Sequence, residues 1–194
     1  MTIFTLFYLF ILIYSIIAHE VAHGLMADYF GDKTARAAGR LTMSPMPHID
    51  PIGSVLLPAL SAFSFGGLII GWAKPVPYNP YNLRPQRLGE TMVASAGVLT
   101  NFLLAIIFGV VHQTLVAQGF GDSPVLDLLK AGVLVNLSLG FFNLLPLPPF
   151  DGLRIITSLF PTTGRKIANF FDKNGIIFMI ISLFIAIQIW QYIY

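Results

Sequence analysis

Long apolar runs separated by short polar loops make up most of the chain. Residues 3–27, 91–117, 125–145 and 175–194 each supply the roughly 20 apolar residues that a helix needs to cross a bilayer core of about 30 Å. Runs of this length are too long for strands and for most core helices of soluble proteins. The pattern therefore predicts an all-α polytopic membrane protein with about four transmembrane helices.

A fifth apolar stretch, residues 50–71, is interrupted by prolines and glycines. The loops 31–48, 72–90 and 152–174 are all basic, and basic loops are typical of the cytosolic side of a membrane. The three loops share that side only if residues 50–71 enter and leave the membrane there. We predict a re-entrant segment, a short helix up to about Ser64 followed by an extended return. A true span with a basic outside loop is the alternative.

Composition supports the membrane class and excludes several others. Of the 194 residues, 56% are hydrophobic and 10% are charged, whereas soluble domains carry roughly a quarter charged residues. We expect one membrane-embedded domain over residues 1–194, in contact with the lipid bilayer. The net charge is only +2 and the basic residues cluster in loops, which indicates membrane topology rather than a nucleic-acid partner. The absence of cysteine excludes disulfides, thiolate ligands and thiol catalysis.

The first apolar run contains an H-E-x-x-H motif at residues 19–23. On a helix His19 and His23 share a face, so both imidazoles can bind one metal ion, and neutral imidazole suits zinc. Glu20 is adjacent to a ligand and can act as general base on a metal-bound water. Ionisable side chains in a membrane are costly unless they face a cavity or one another, which favours a site over a chance match. We predict one Zn²⁺ per chain, toward the cytosolic side.

A site with two histidines needs a third protein ligand, and Asp151 fits best. It follows the helix that ends near residue 145, at the membrane depth of the two histidines, and the prolines before it let the backbone turn its carboxylate inward. His48 and Asp50, at the entry of the re-entrant segment, remain alternatives for this ligand. The structural alternative for Asp151 is the N-cap of a following helix.

Two asparagines lie in apolar helices. Asn143 is at the inner end of the helix before Asp151, where a carboxamide can bind the substrate backbone or the developing oxyanion. An interhelical hydrogen bond is an equally open reading of Asn143. Asn101 follows Gly97 by one helical turn, and this pair indicates close helix packing with an interhelical hydrogen bond, a structural role.

The H-E-x-x-H-G motif at residues 19–24 and the N-x-x-P-x-x-x-x-D-G motif at residues 143–152 resemble the site-2 protease family of intramembrane zinc metalloproteases. The G-W-A-K-P-V-P stretch at residues 71–77 and the H-I-D-P stretch at residues 48–51 are similar to its small prokaryotic members without PDZ or CBS domains. The resemblance covers nearly the whole chain. It implies that the two histidines and the motif aspartate bind zinc, that the glutamate is the base, and that the motif asparagine contacts substrate. These roles correspond to His19, His23, Asp151, Glu20 and Asn143.

The stretch from Leu68 to Val76 has the composition of an edge strand. Isoleucine, tryptophan and valine favour strands, while Pro75 and Pro77 cannot donate to a ladder and therefore suit an edge. A substrate helix must be drawn out locally before it is cut, and an exposed edge would satisfy its freed backbone groups. We predict a short β element on the cytosolic side, with a plain proline-rich connector as the alternative. The residues predicted to bind substrate are Gly71, Trp72, Ala73 and Val76.

The leading functional hypothesis is an intramembrane zinc metalloprotease of a prokaryotic cell membrane. Its partner would be a transmembrane protein substrate, cut within or near a membrane segment. One alternative is a non-proteolytic membrane zinc-binding protein or carrier, which needs the metal ligands but not Glu20. The other is a zinc hydrolase of a small amphiphile.

Overall fold

The computed structural model describes residues 3–64, 71–121, 123–164, 166–167, 169–171 and 173. The α-helices that position the site are α1 (Ile3–Tyr29), α2 (Thr34–Ala37), α3 (Leu57–Ser64), α4 (Gln86–Ala117), α5 (Pro124–Asn143) and α6 (Asp151–Leu159). Short 3-10 turns cover Met46–His48 and Pro80–Asn82, and a π-helical turn, Pro51–Leu56, runs directly into α3.

Three of these helices, α1, α4 and α5, are long and apolar enough to cross a membrane. The predicted all-α membrane class is therefore confirmed for the part of the chain that the structure describes. The fourth predicted span, residues 175–194, lies outside the described residues. Helix α4 is central, because it packs against α1, α5 and α6, and α1 also contacts α5.

Local chemistry sets the ends of α5. Its first residue is Pro124, whose missing N–H and fixed φ suit the first turn, and the Ser123 side chain accepts a hydrogen bond from the Leu126 N–H. Residues 146, 148 and 149 after its end are prolines, which cannot continue a helix. The chain is thereby turned back so that Asp151 can begin α6 beside α4.

The end of α1, the start of α4 and the end of α6 lie at one end of the bundle. The Arg84 N–H donates to the Phe30 carbonyl at 2.8 Å, which ties the start of α4 to the end of α1. Arg87 donates through Nε to the Ser158 carbonyl at 3.2 Å, which ties α6 to the same end. Arg84 and Arg87 therefore lie at the same end of the bundle, on the side that the charge pattern assigns to the cytosol.

The two ends of the apolar stretch 50–71 lie side by side. The Asp50 side chain caps the start of the helical part by accepting from the N–H groups of Ile52 and Gly53. The Trp72 N–H then donates to the Gly53 carbonyl at 3.0 Å, so the chain is back at the point where the helix began. A Cβ on Gly53 would lie only 2.2 Å from the Trp72 ring nitrogen, so a glycine is needed for this contact. This is the geometry that a re-entrant segment requires; residues 65–70 lie outside the described ones.

A regular β-strand is not formed at Gly71–Val76, where the sequence predicted a β element, and none occurs elsewhere among the described residues. The chain there makes alternating hydrogen bonds, but its partners are a helix terminus, a turn and side chains instead of a second strand. With no neighbouring strand, and with prolines at 75 and 77 that lack donors, a ladder cannot form.

Candidate metal centre

Three side-chain atoms converge where α1, α4 and the start of α6 meet. His19 Nε2, His23 Nε2 and Asp151 Oδ2 form a triangle with sides of 3.0, 3.0 and 3.1 Å. The histidines are 7% and 9% exposed, and the aspartate side chain is 13% exposed. Among the described residues, these three form the one group of three or more histidine, cysteine or acidic side chains that could hold a single metal ion.

The proton on His23 is fixed by the backbone. Its Nδ1 lies 2.6 Å from the carbonyl oxygen of Val93 in α4. A carbonyl can only accept, so Nδ1 carries the hydrogen and the neutral ring presents a lone pair at Nε2. That lone pair points into the triangle.

A chain of buried amides fixes His19 in the same way. The Asn136 Nδ2 donates to the backbone carbonyl of Gly132 at 2.9 Å, so the Asn136 Oδ1 must face Asn101. The Asn101 Nδ2 donates to that oxygen at 3.1 Å, which leaves the Asn101 Oδ1 to accept from His19 Nδ1 at 2.6 Å. His19 therefore also presents a lone pair at Nε2.

These contacts correct the purely structural role predicted for Asn101. The interhelical hydrogen bond exists, but the same carboxamide also orients a residue of the metal triangle, as outer partners of metal-binding histidines do. Sequence reasoning missed Asn136 and Ser15, which complete the chain through an Asn136 Nδ2 to Ser15 Oγ hydrogen bond of 3.0 Å. The available signal was a polar residue in each apolar helix, which marks a packed or functional position.

The donor set fits a zinc ion. Two imidazole lone pairs and one carboxylate oxygen repel each other at 3.0–3.1 Å unless a cation or proton lies between them. Tetrahedral ligands at about 2.0–2.1 Å from a zinc ion are separated by roughly 3.3 Å, close to the observed sides. A cation held between the three side chains would favour the anionic form of Asp151, because an opposite charge nearby stabilises a carboxylate.

Two glycines allow this close assembly. A Cβ on Gly97 of α4 would lie 2.5 Å from His23 Nε2 and 2.6 Å from His19 Nε2. A Cβ on Gly152 would lie 2.2 Å from the Leu144 carbonyl oxygen. The first glycine lets α4 pass directly over the triangle, and the second lets α6 start against the end of α5, which delivers Asp151.

The other candidates for the third ligand lie outside the group that could hold a metal ion. His48 is 2% exposed and donates through Nε2 to the Thr42 carbonyl at 2.9 Å, while its Nδ1 makes no hydrogen bond to the described residues. Asp50 caps the start of the helical part of residues 50–71, as described above.

The side chain of Asn143 is partly used within its own helix. Asn143 donates through Nδ2 to the Leu139 carbonyl at 2.9 Å, so one of its two N–H groups is occupied within α5.

Glu20 faces residues 71–77. Its Oε2 accepts a hydrogen bond of 2.8 Å from the Val76 N–H. Val76 is 7% exposed, so it lies on the inner side of this stretch and not on the predicted substrate-binding edge. The general base proposed from the sequence therefore lies between the metal triangle and the 71–77 segment.

Every second residue of the 71–77 segment is hydrogen-bonded to the rest of the protein. The Trp72 carbonyl accepts from Ser54 Oγ at 2.9 Å, and the Lys74 N–H donates to the His48 carbonyl at 2.9 Å. The Lys74 carbonyl accepts from Arg40 Nη2 at 2.6 Å. Ala73 alternates with these residues, and its N–H and carbonyl make no hydrogen bond within the described part of the chain. This alternation is typical of an extended backbone. One edge, at Trp72 and Lys74, is hydrogen-bonded to the rest of the protein, and the other edge, at Ala73, is open.

The known proteins that this chain resembles are zinc metalloproteases by name. Residues 116–187 match the model of peptidase family M50. YwhC of Bacillus subtilis, provisionally named a zinc metalloprotease, is 38% identical over 175 residues, which cover 88% of this chain and 76% of the relative. A provisionally named zinc metalloprotease of Thermotoga maritima is 33% identical over 61% of this chain and 26% of its own length. The zinc metalloprotease MJ0392 of Methanocaldococcus jannaschii is 28% identical over 78% of this chain and 34% of its own length. No solved structure gives a significant match.

Proposed function

The chain belongs to peptidase family M50, the site-2 proteases, and we propose that it is an intramembrane zinc endopeptidase. The single observation that carries the proposal is the triangle of His19, His23 and Asp151 with Glu20 one residue from a ligand. A carrier would need the triangle, but it would have no use for a carboxylate beside it.

His19, His23 and Asp151 would hold one Zn²⁺. When bound, the ion would supply Lewis acidity and a coordinated water whose pKa falls toward about 7. The hydrogen bonds to Val93 and Asn101 keep both imidazoles in the tautomer that leaves Nε2 free. Burial of the three side chains excludes bulk water and strengthens their electrostatic effect.

Glu20 would be the general base and then the general acid. Its carboxylate would take a proton from the attacking water and pass that proton to the leaving amine. The second N–H of Asn143 Nδ2 remains for the substrate backbone or the developing oxyanion, because only one is used for the Leu139 carbonyl.

The open edge at Ala73 would hold the substrate in extended form. A membrane helix that is drawn out exposes N–H and carbonyl groups that lipid cannot satisfy, and the Ala73 N–H and carbonyl offer them partners. Gly71 and Trp72 would flank this contact. The substrate would thus be a transmembrane or lipid-embedded segment of another protein.

Proteomics separates this proposal from its rivals. Membranes from cells with the wild-type protein and with Glu20→Gln are compared by mass spectrometry of membrane peptides. New peptide termini that require Glu20 support an endopeptidase. A Glu20→Gln protein that retains every wild-type effect supports a zinc carrier, and altered lipids without new peptide termini support a hydrolase of a small amphiphile.

The proposed location is the cell membrane, with the metal site toward the cytosol. The chain has no cysteine, so a cysteine introduced at Asn82 is the only labelling site. It should react with a membrane-impermeant maleimide in inverted vesicles and stay unreacted in intact cells. Labelling in intact cells would place the 72–90 loop outside and contradict the proposed orientation.

A further inference from the structure

The sequence Pro75-Val76-Pro77 contains a single backbone donor. Proline has no N–H, so only Val76 can donate a hydrogen bond among these three residues. The prolines also fix their own φ and restrict the residue before each of them to extended conformations. The direction of the Val76 N–H is therefore strongly constrained by its neighbours.

This one donor is directed at Glu20. The Val76 N–H lies 2.8 Å from Glu20 Oε2, a normal length for a hydrogen bond to a carboxylate. Within the described residues nothing donates to the second oxygen, Oε1. One oxygen of the carboxylate is thus held and the other is left for proton transfer.

The Val76 side chain makes a second contact with the same face of α1. A Cβ on Gly24 would lie 2.7 Å from Val76 Cγ1, and Gly24 is one helical turn after Glu20. The absence of a side chain at Gly24 is what lets the segment approach α1 closely enough for the hydrogen bond. The two contacts are independent, since one involves the backbone and the other the side chain.

From this geometry we infer that the Val76 amide is a positioning group for Glu20, resting on the proposed endopeptidase function. It fixes the carboxylate so that Oε1 faces the reacting water, and it belongs to the same segment whose outer edge at Ala73 would hold the substrate. The 71–77 segment would thereby position both the general base and the substrate. Val76 itself does not touch the reacting atoms.

Nuclear magnetic resonance tests the hydrogen bond without any activity. Protein labelled with ¹³C at the proline carbonyl and ¹⁵N at valine gives signals from Pro–Val pairs alone, and the chain has two, Pro75–Val76 and Pro124–Val125. Val125→Ile removes one signal and assigns the other. In Glu20→Gln the Val76 amide proton should move upfield, because a neutral acceptor replaces a carboxylate, while the Val125 signal stays. Glu90→Gln is the matched control and should move neither. An unchanged Val76 signal in Glu20→Gln overturns the inference.

Kinetics tests the positioning role. Replacing the Val76 amide by an ester, through incorporation of the hydroxy-acid analogue of valine, removes the N–H and keeps the side chain. With a membrane peptide that the wild type cleaves as probe, kcat should fall on the order of 100-fold, as expected for a displaced catalytic group, with KM and zinc content unchanged. Val76→Ala keeps the donor and loses only packing on Gly24, so its kcat should fall much less.

The alternatives give different results. If the contact only holds the fold together, the ester lowers thermal stability or zinc content and leaves the kcat of the remaining folded enzyme at the level of Val76→Ala, which overturns the inference. If no membrane peptide is cleaved in a Glu20-dependent way, the proposed function fails, and the resonance experiment still decides whether Val76 donates to Glu20.

Discussion

Gly97 of α4 lies directly against His23 of α1, so closely that a Cβ on the glycine would be 2.5 Å from the imidazole Nε2. Real side chains do not approach that closely, so Gly97→Ala must displace the histidine or occupy the space of the metal. We expect Gly97→Ala to lose zinc almost completely when purified protein is examined by elemental analysis.

Gly109→Ala is the matched control in the same helix. A Cβ at Gly109 meets only Val133 Cγ2, at an ordinary 3.8 Å. The substitution should retain one zinc per chain, and replacing glycine by alanine in a helix costs nothing in propensity. If Gly97→Ala binds zinc as well as Gly109→Ala does, α4 does not approach the site as closely as described.

The helices and the ligand candidates were predictable from sequence, while their mutual contacts were not. The length of the apolar runs predicts that α1, α4 and α5 are helices. The predicted membrane depth of Asp151 matches that of His19 and His23, which made it the best candidate for the third ligand. The role of Asn101 depends on how α4 is rotated toward α1. Helical periodicity gives the face of a residue but not the neighbour that this face meets.

The 71–77 segment was mispredicted for a related reason. Its composition favours an extended conformation, and the chain is extended there, but a strand also needs a partner strand. Its partners are the Gly53 and His48 carbonyls and the side chains of Glu20, Arg40 and Ser54. No pattern within the segment could reveal them, because all of them lie far away in sequence.

The choice of Asp151 over His48 as third ligand makes a direct prediction. Asp151→Ala removes one corner of the triangle and leaves two imidazoles, so metal affinity should fall below what survives purification. His48→Ala should keep a full equivalent, because His48 is not among the side chains that converge at the triangle. Elemental analysis of both proteins decides the matter, and the reverse result would make His48 the third ligand.

Asn101 should matter for metal affinity although it is not a ligand. Asn101→Leu removes the acceptor of the His19 Nδ1 hydrogen, so the ring loses its fixed orientation. Loss of such an outer partner typically costs 10–100-fold in metal affinity. Titration with a zinc-selective chelator measures this loss.

Asn143→Ala serves as the comparison for Asn101. Its Nδ2 donates to its own helix, and the proposed role is toward substrate, so zinc affinity should stay at the wild-type value while cleavage falls. Equal zinc affinity in Asn101→Leu and wild type would show that the amide chain does not support the site.

Asp32 makes stability depend on pH. It is fully buried and accepts hydrogen bonds from Thr34, from the Asn79 N–H at 2.7 Å and from Asn82 Nδ2 at 2.8 Å. Burial opposes ionisation, but these donors outweigh it and lower the pKa of Asp32. With a folded pKa below the unfolded value, its stabilisation is present above the unfolded pKa and is lost as pH falls through the folded pKa.

Asp32→Asn should therefore destabilise the protein at neutral pH by about 1–3 kcal/mol, since the amide cannot accept every one of these bonds. The difference from wild type should shrink as the buffer is acidified below the ordinary aspartate pKa of 3.8. Thermal unfolding in detergent micelles across this range measures both. A difference that is the same at acidic and neutral pH would mean that the Asp32 charge does not hold the 79–82 turn.

Ala73→Pro tests whether the open edge binds substrate. The Ala73 N–H has no partner within the described chain, so proline removes no internal hydrogen bond there, and an extended backbone accommodates its fixed φ. Because proline also favours an extended conformation in the preceding residue, the bonds of Trp72 should survive. What disappears is one donor for the substrate backbone, worth about 1 kcal/mol, so kcat/KM should fall roughly fivefold or more. Ala73→Val keeps the donor and adds comparable bulk, so it separates hydrogen bonding from size. Cleavage of the membrane peptide by Ala73→Pro at the rate of Ala73→Val, with zinc content equal in both, would mean that the substrate does not pair with this edge.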